Sequence, residues 1–213
     1  GENINPEPDR YALLPSYLNT IIFNNQDIFL NNKKNNILPL TNCFLRKGCA
    51  TSTNGNFLNV IAMIKNISLN IVKNIIYTEL TPEVFITLNN GDLIAIYASN
   101  DLLPNTQILY SNFTKFIKEN QKLQKVFKID DNDIKKLKSA INSIDIQYDE
   151  LDIKNIKNII LLYKIFTSYQ NFIKNMYNAN SVVNYKHYME FISRPNLNFF
   201  PNGINFLIFD DIN

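Results

Sequence analysis

Two cysteines and one histidine are the side chains of this sequence best suited to metal binding or nucleophilic catalysis. Cys43 and Cys49 lie six residues apart, and His187 is the only histidine. A structural zinc site uses about four nitrogen or sulfur ligands, so these three side chains would leave it one ligand short. A Cys–His catalytic pair is the alternative, but nothing near either thiol marks it as activated. We therefore expect unreactive thiols beside a core, no metal site and no catalytic residue.

Acidic residues and glycines supply two further candidate motifs. Asp130, Asp131 and Asp133 are spaced like the start of a calcium loop, but the glycine and the closing glutamate of such a loop are absent. Gly48 and Gly55 bracket a polar segment that lacks the Gly-Lys-Ser/Thr of a nucleotide-binding loop. The acids are better explained as charges at the start of a helix, where the helix dipole stabilises them. The sequence thus predicts a protein that is not an enzyme and has no cofactor.

A basic corner remains as a candidate for phosphate binding. The segment 40–63 runs from a short apolar piece through Arg46-Lys47-Gly48 and a polar turn into an amphipathic stretch. Basic, hydroxyl and amide side chains are the usual phosphate contacts. The sequence predicts an exposed cationic loop whose nucleic-acid-binding residues are Arg46, Lys47, Thr51, Ser52 and Asn54. A second set of lysines faces away from the apolar stripe of a long helix, as a solvated face commonly does: Lys154, Lys157, Lys164 and Lys174.

Composition limits the classes of protein to which the chain can belong. With 213 residues and 46% hydrophobic content, it can bury one core or divide into two small lobes. Its 21 basic and 19 acidic residues give a net charge of +2, so any nucleic-acid role would depend on a local patch. The longest strongly apolar run, 159–163, is far short of the roughly 20 residues of a membrane span. We expect no membrane association and a reducing, cytosolic setting.

Helical spacing and capping residues predict the elements that must position these side chains. Pro15, Thr81-Pro82 and Asn184 suit helix starts, and Gly91 suits a left-handed helix end. The segment 93–97 fits either a strand or an irregular or helical connection, and we favour the second. The longest helix would measure about 40 Å at a rise of about 1.5 Å per residue. The predicted helices are 15–23, 55–67, 82–89, 105–118, 134–144, 149–177 and 185–192.

The fold class that follows is mainly α, a compact helical domain with one long helix and a few short strands. Residues 1–9, with two prolines, are expected to form an extended lead-in, and residues 10–213 a single, mostly helical domain. The apolar run 204–209 is typical of a strand and follows a turn at Pro201-Asn202-Gly203. Because this C-terminal strand would have no following partner, we expect the sequence to be a fragment of a longer chain.

Four stretches of the sequence resemble a known family. They are Arg-Tyr-Ala-Leu-Leu-Pro at 10–15, Cys-Phe-Leu-Arg-Lys-Gly at 43–48, Asn-Phe-Leu-Asn-Val-Ile-Ala at 56–62 and Arg-Pro-Asn-Leu-Asn-Phe-Phe-Pro-Asn-Gly-Ile-Asn-Phe-Leu-Ile at 194–208. Together they are similar to an internal region of the large subunit of the viral early transcription factor. That family belongs to poxviruses and other nucleocytoplasmic large DNA viruses, including mimivirus relatives.

The resemblance implies partners and a location. The family's large subunit pairs with a small ATPase subunit, binds AT-rich early promoter DNA and recruits the viral RNA polymerase, in the virion and in the viral factory of the host cytoplasm. It implies a non-enzymatic module that contributes to promoter binding and polymerase recruitment, because the ATPase activity belongs to the partner subunit. The alternative is a protein–protein scaffold domain that docks the polymerase or the ATPase subunit and does not touch DNA.

Overall fold

The structure, a computed structural model, describes residues 6–23, 45–49, 56–141, 155–178, 181 and 184–208. In these ranges the chain forms ten helices and one two-stranded antiparallel sheet, which confirms a mainly α fold. The strands are β1 (Tyr11–Leu13) and β2 (Leu45–Lys47). The helices are α1 (Ser16–Phe23), α2 (Asn56–Lys65), α3 (Leu69–Glu79), α4 (Pro82–Phe85), α5 (Asp92–Ile96), α6 (Gln107–Glu119), α7 (Gln121–Val126), α8 (Asp131–Ile141), α9 (Ile156–Tyr177) and α10 (Lys186–Ser193).

Helix α9 joins two hydrophobic cores. Its C-terminal half supplies Phe172 and Met176 to the first core, which α2–α5, α10 and Phe199 complete. Its N-terminal half supplies Ile159 and Phe166, among others, to the second core, which is built with α6, α7 and α8. The 22 residues of α9 span about 33 Å at about 1.5 Å per residue, and it is the longest helix of the described part, as predicted. Residues 149–154 of the predicted helix lie outside the described ranges.

The middle of α9 is buried on more sides than its apolar stripe predicts. Thr167 and Ser168 are buried together with the apolar residues around them. The Ser168 hydroxyl lies 2.7 Å from the carbonyl oxygens of both Ile94 and Lys164, so this polar group has partners within the core. Helix α5, to which Ile94 belongs, thus packs directly on α9. The helical alternative for 93–97 is the correct one.

Local capping chemistry fixes several helix ends. Thr81 accepts a hydrogen bond from the Val84 N–H at 3.4 Å, and Pro82 occupies the first turn of α4, as predicted. Gly91 adopts the predicted left-handed conformation with φ of +89°, at the end of a 3₁₀ turn that separates α4 from α5. Asn66, with φ of +54°, ends α2, and the next N–H, of Ile67, returns to the Ala62 carbonyl at 3.0 Å. These ends depend on neighbouring residues only, which is why a sequence can indicate them.

Two predicted elements differ from the structure. Arg46 and Lys47 lie in strand β2, not in a loop, because β2 pairs with β1 in the register Tyr11 to Lys47. The predicted C-terminal strand is wrong over 204–208, which form neither strand nor helix. They do not pair with the β1–β2 sheet, and the Ile204 N–H instead donates to the Ser193 carbonyl at 3.0 Å. Helices α3 and α7 are not among the predicted helices.

Candidate nucleic-acid interface

Lys47, one of the predicted phosphate contacts, is already engaged by a carboxylate. Its ammonium nitrogen lies 3.0 Å from Asp9 Oδ1, and the hydrogen bond with Asp9 raises the pKa of Lys47. The same nitrogen lies 5.8 Å from the centre of the Tyr11 ring. Arg46, its neighbour in β2, is only partly exposed. A phosphate at this position would compete with Asp9, which lowers the gain from binding it.

The other predicted residues of this site cannot be placed beside them. Thr51, Ser52 and Asn54 lie outside the described residues. Gly48 is described, and an added Cβ there would lie 2.0 Å from the Glu7 carbonyl oxygen. The Gly48 backbone also donates to the Arg10 carbonyl at 2.8 Å. Gly48 is therefore required for the close approach of 6–10 to β2.

A groove of about 540 Å³ lies between the β-ribbon, which is the sheet of β1 and β2 with its flanking residues, and helices α2 and α3. Cys49 lines this groove. Burial raises the pKa of the Cys49 thiol, which disfavours the nucleophilic thiolate. Cys43 lies outside the described residues. His187, on α10, is bound to Tyr97, whose hydroxyl lies 2.8 Å from His187 Nδ1. The described residues contain no group of three or more His, Cys, Asp or Glu side chains that could hold a metal ion.

A second basic surface lies over the second core. It consists of five exposed lysines, which we call the lysine surface: Lys118, Lys122, Lys125, Lys128 and Lys157. Lys118 lies in the last turn of α6, and Lys122 and Lys125 lie in α7. Within the described ranges, none of the five forms an ion pair with a carboxylate. Among the described residues, their charges are thus available to an external anion without loss of an ion pair.

Two asparagine side chains bring Lys157 to the same end of the molecule as Lys128. Asn155 donates to the Lys128 carbonyl at 2.9 Å, and Asn158 donates to the Phe127 carbonyl at 2.8 Å. These bonds attach the start of α9 to the end of α7, where Lys128 has a left-handed φ of +54°. Lys157 lies between the two asparagines and is exposed. The start of α9, which carries Lys157, therefore lies next to the end of α7 and to Lys128, although the two segments are about 30 residues apart in sequence.

Asp130 and Asp133, which follow Lys128 in the chain, are occupied in capping α8. Asp130 Oδ1 accepts from the Asp133 N–H at 2.8 Å, and Asp133 Oδ2 accepts from the Asp130 N–H at 3.2 Å. Asp133 is buried and also accepts from Asn155 at 3.1 Å. This reciprocal arrangement confirms that these acids serve the start of a helix. The third acid, Asp131, is exposed, and its side chain makes no capping hydrogen bond to the described residues.

Charge is distributed unevenly along the chain. The segment 115–138 contains eight lysines and four acidic residues, a balance of +4, whereas the whole chain has +2. The rest of the chain is therefore slightly negative, and the excess of positive charge lies in the segment that forms α7, α8 and the end of α6. The sequence indicates this basic face through the helical spacing of Lys118, Lys122 and Lys125, which are four and three residues apart. The apolar stripe of the long helix indicated Lys154, Lys157, Lys164 and Lys174 instead; the last three are exposed, and Lys154 lies outside the described residues.

Comparisons of the chain with protein-family models, with curated protein sequences and with solved structures find no match in any of the three. Among the described helices, none alone has the length and apolar character needed to cross a membrane. Only the pair 57–65 and 69–79, bent by 100°, meets those criteria, and only when its members are taken together.

Proposed function

We propose that the chain is a non-enzymatic module of a viral early-transcription initiation factor, and that it contributes to promoter DNA binding and RNA polymerase recruitment. The observation that carries the DNA-binding part is the lysine surface, with five exposed ammonium groups that no described carboxylate neutralises. The resemblance to the viral factor supplies the expected partners, which are AT-rich promoter DNA, the small ATPase subunit and the viral RNA polymerase. The virion and the viral factory are the proposed location.

Lysine is suited to the backbone of DNA and not to its bases. Its ammonium group acts as a flexible point charge that binds phosphates and releases their counterions. Such contacts fix the protein on the duplex but carry little sequence information. A preference for AT-rich DNA would then come from the shape of its narrow minor groove or from other residues. The proposed phosphate contacts also include Arg46, Lys47, Thr51, Ser52 and Asn54. Lys47 would have to give up its ion pair with Asp9 to bind a phosphate, which lowers its contribution to the affinity.

The scaffold function is the second candidate, and a different observation favours it. Helical spacing places Tyr17 and Ile21 on one apolar face of α1, and these two side chains are 53% and 67% exposed. Ile22 on the same helix is 40% exposed. Exposed apolar faces of this kind are typical of protein–protein contacts. In this alternative the polymerase or the ATPase subunit covers α1, and the chain does not touch DNA.

Fluorescence anisotropy with labelled duplexes tests the first function. The whole chain is titrated at low salt with an AT-rich duplex and with a GC-rich duplex of equal length. Three variants are compared with the wild type: Lys122→Ala/Lys125→Ala, Arg46→Ala/Lys47→Ala, and the remote control Lys186→Ala on α10. We expect the Lys122/Lys125 variant to lose the most affinity and the control to lose none. A folded wild-type chain that binds neither duplex would refute DNA binding and leave the scaffold function.

The scaffold function has its own measurement. The purified polymerase and the small ATPase subunit are immobilised in turn, and binding of the wild type is compared with that of Tyr17→Ser/Ile21→Ser. Loss of binding in this variant, with DNA affinity unchanged, would support docking through α1. Equal binding of the two proteins would exclude α1 as the docking surface.

A further inference from the structure

Helices α3, α6 and α9 enclose a groove of about 510 Å³ where the two cores meet. Phe116 and Phe166, which are buried, form its apolar base. Tyr77, on α3, lies at the opening with 53% of its surface exposed. The volume is within the range of about 300–1,000 Å³ that is usual for small-ligand sites. The groove combines an exposed ring with an apolar base, which suits a flat aromatic ligand.

Polar groups surround this apolar base. The side-chain amides of Asn112 and Gln170 line the groove, and neither has a hydrogen-bond partner among the described residues. An amide can both donate and accept, as the edge of a nucleobase does. Tyr169 is fixed by the hydrogen bond from its hydroxyl to the Leu80 carbonyl at 2.8 Å, and burial raises its pKa to about 12, so it stays neutral. The lining thus offers hydrogen bonds without a buried charge.

The charged side chains that line the groove are two lysines, Lys115 and Lys174, and one carboxylate, Glu119. Lys174 forms no ion pair with any described carboxylate, whereas Lys115 is 3.8 Å from Glu119. Lys115 and Lys118 lie three residues apart on α6, a rise of about 4.5 Å. Lys115 lines the groove and Lys118 belongs to the lysine surface. The lysine surface therefore continues directly into the groove.

We infer that this groove binds an unpaired base of a DNA strand whose phosphates lie on the lysine surface. Tyr77 stacks on the base, Asn112 or Gln170 bonds to its edge, and Lys174 contacts the adjoining phosphate. This inference rests on the proposed DNA-binding function and adds to it a preference for single-stranded or locally opened DNA. Lysines alone would contact any phosphate backbone, and only the groove requires an accessible base.

The test uses one oligonucleotide in three forms: single-stranded, paired as a duplex, and single-stranded with abasic positions. Anisotropy is measured with the wild-type chain, with Tyr77→Ala, and with Tyr77→Phe, which keeps the ring. Tyr17→Ala is the matched control, because Tyr17 is a helical tyrosine with the same exposure of 53% but lies on α1, outside the groove. Thermal unfolding of each variant verifies that it is folded.

We expect Tyr77→Ala to weaken single-strand binding about fivefold or more, since stacking of one base contributes about that factor or more. Tyr77→Phe and Tyr17→Ala should bind like the wild type, and duplex affinity should not change in any of them. Abasic positions should weaken the wild type as Tyr77→Ala does. If the wild type binds the duplex but Tyr77→Ala binds the single strand as the wild type does, the groove is not a base-binding site. The proposed DNA-binding function would stand. Absence of binding to all three forms would refute both.

Discussion

The salt dependence of duplex binding can be calculated from the lysine surface. For B-DNA, the logarithm of the affinity falls with the logarithm of salt concentration with a slope of about −0.9 per phosphate contact. Five lysines, one phosphate each, give a slope of about −4.5, so affinity should fall about 500-fold between about 50 and 200 mM salt. The Lys122→Ala/Lys125→Ala variant retains three contacts. Its slope should be about −2.7, with a fall of about 40-fold over the same interval.

The assay is anisotropy of a labelled duplex at five or six salt concentrations, with the slope fitted for each protein. The Arg46→Ala/Lys47→Ala variant should change the slope less than the Lys122/Lys125 variant does, because Lys47 is paired with Asp9 at 3.0 Å. Lys186→Ala should leave it unchanged. A wild-type slope shallower than about −2, or equal slopes for the wild type and the Lys122/Lys125 variant, would refute the contribution of the lysine surface.

Three further predictions concern the fold that carries this surface. Phe172 is fully buried, and its ring centre lies 5.4, 5.2 and 4.9 Å from those of Phe85, Tyr97 and Tyr188. Phe172→Ala should therefore lower the free energy of unfolding, measured by urea titration, by about 3–5 kcal/mol. Asp133→Ala removes the buried acceptor of the α8 cap and of Asn155, and should cost about 1–3 kcal/mol in the same assay, whereas an equal stability would contradict the cap. Burial lowers the pKa of His187 below its ordinary 6.5, so the unfolded chain takes up this proton first. Stability should therefore fall as pH decreases from 6.5 towards the lower folded-state pKa, and the fall should be smaller in His187→Gln.

Features that depend on a few adjacent residues could be predicted from the sequence. The cap at Thr81-Pro82, the left-handed Gly91 and the acids at the start of α8 all involve partners within three or four positions. The apolar stripe of α9 was equally visible because it repeats with the period of a helix. The burial of Ser168 was not visible in the sequence, because its hydroxyl donates to the Ile94 carbonyl, 74 residues away in sequence. Periodicity shows which residues can be buried and does not show which helix covers them.

The candidate site was predicted less well, for a related reason. A sequence shows where a charge is but not whether another charge neutralises it. Lys47 and Asp9 are 38 residues apart, and the pairing of β1 with β2 brings them together. A β-ribbon closed across so many residues has no local signal. The lysines of α6 and α7 had a local signal in their spacing, but lysine is common on solvated helix faces, so spacing alone did not separate them from such a face.

The two proposed functions use different elements of the molecule: the lysine surface and the groove for DNA, and α1 for docking. The lysine surface belongs to α6, α7 and the start of α9, over the second core, and the groove lies among α3, α6 and the second half of α9, where the two cores meet. The sheet of β1 and β2 borders α2 and α3, which belong to the first core, and α1 lies between β1 and β2 in the chain. A chain that binds DNA over the second core can still dock a protein through α1. DNA binding and docking are therefore separable: Lys122→Ala/Lys125→Ala should weaken DNA binding and leave docking unchanged, and Tyr17→Ser/Ile21→Ser should weaken docking and leave DNA binding unchanged.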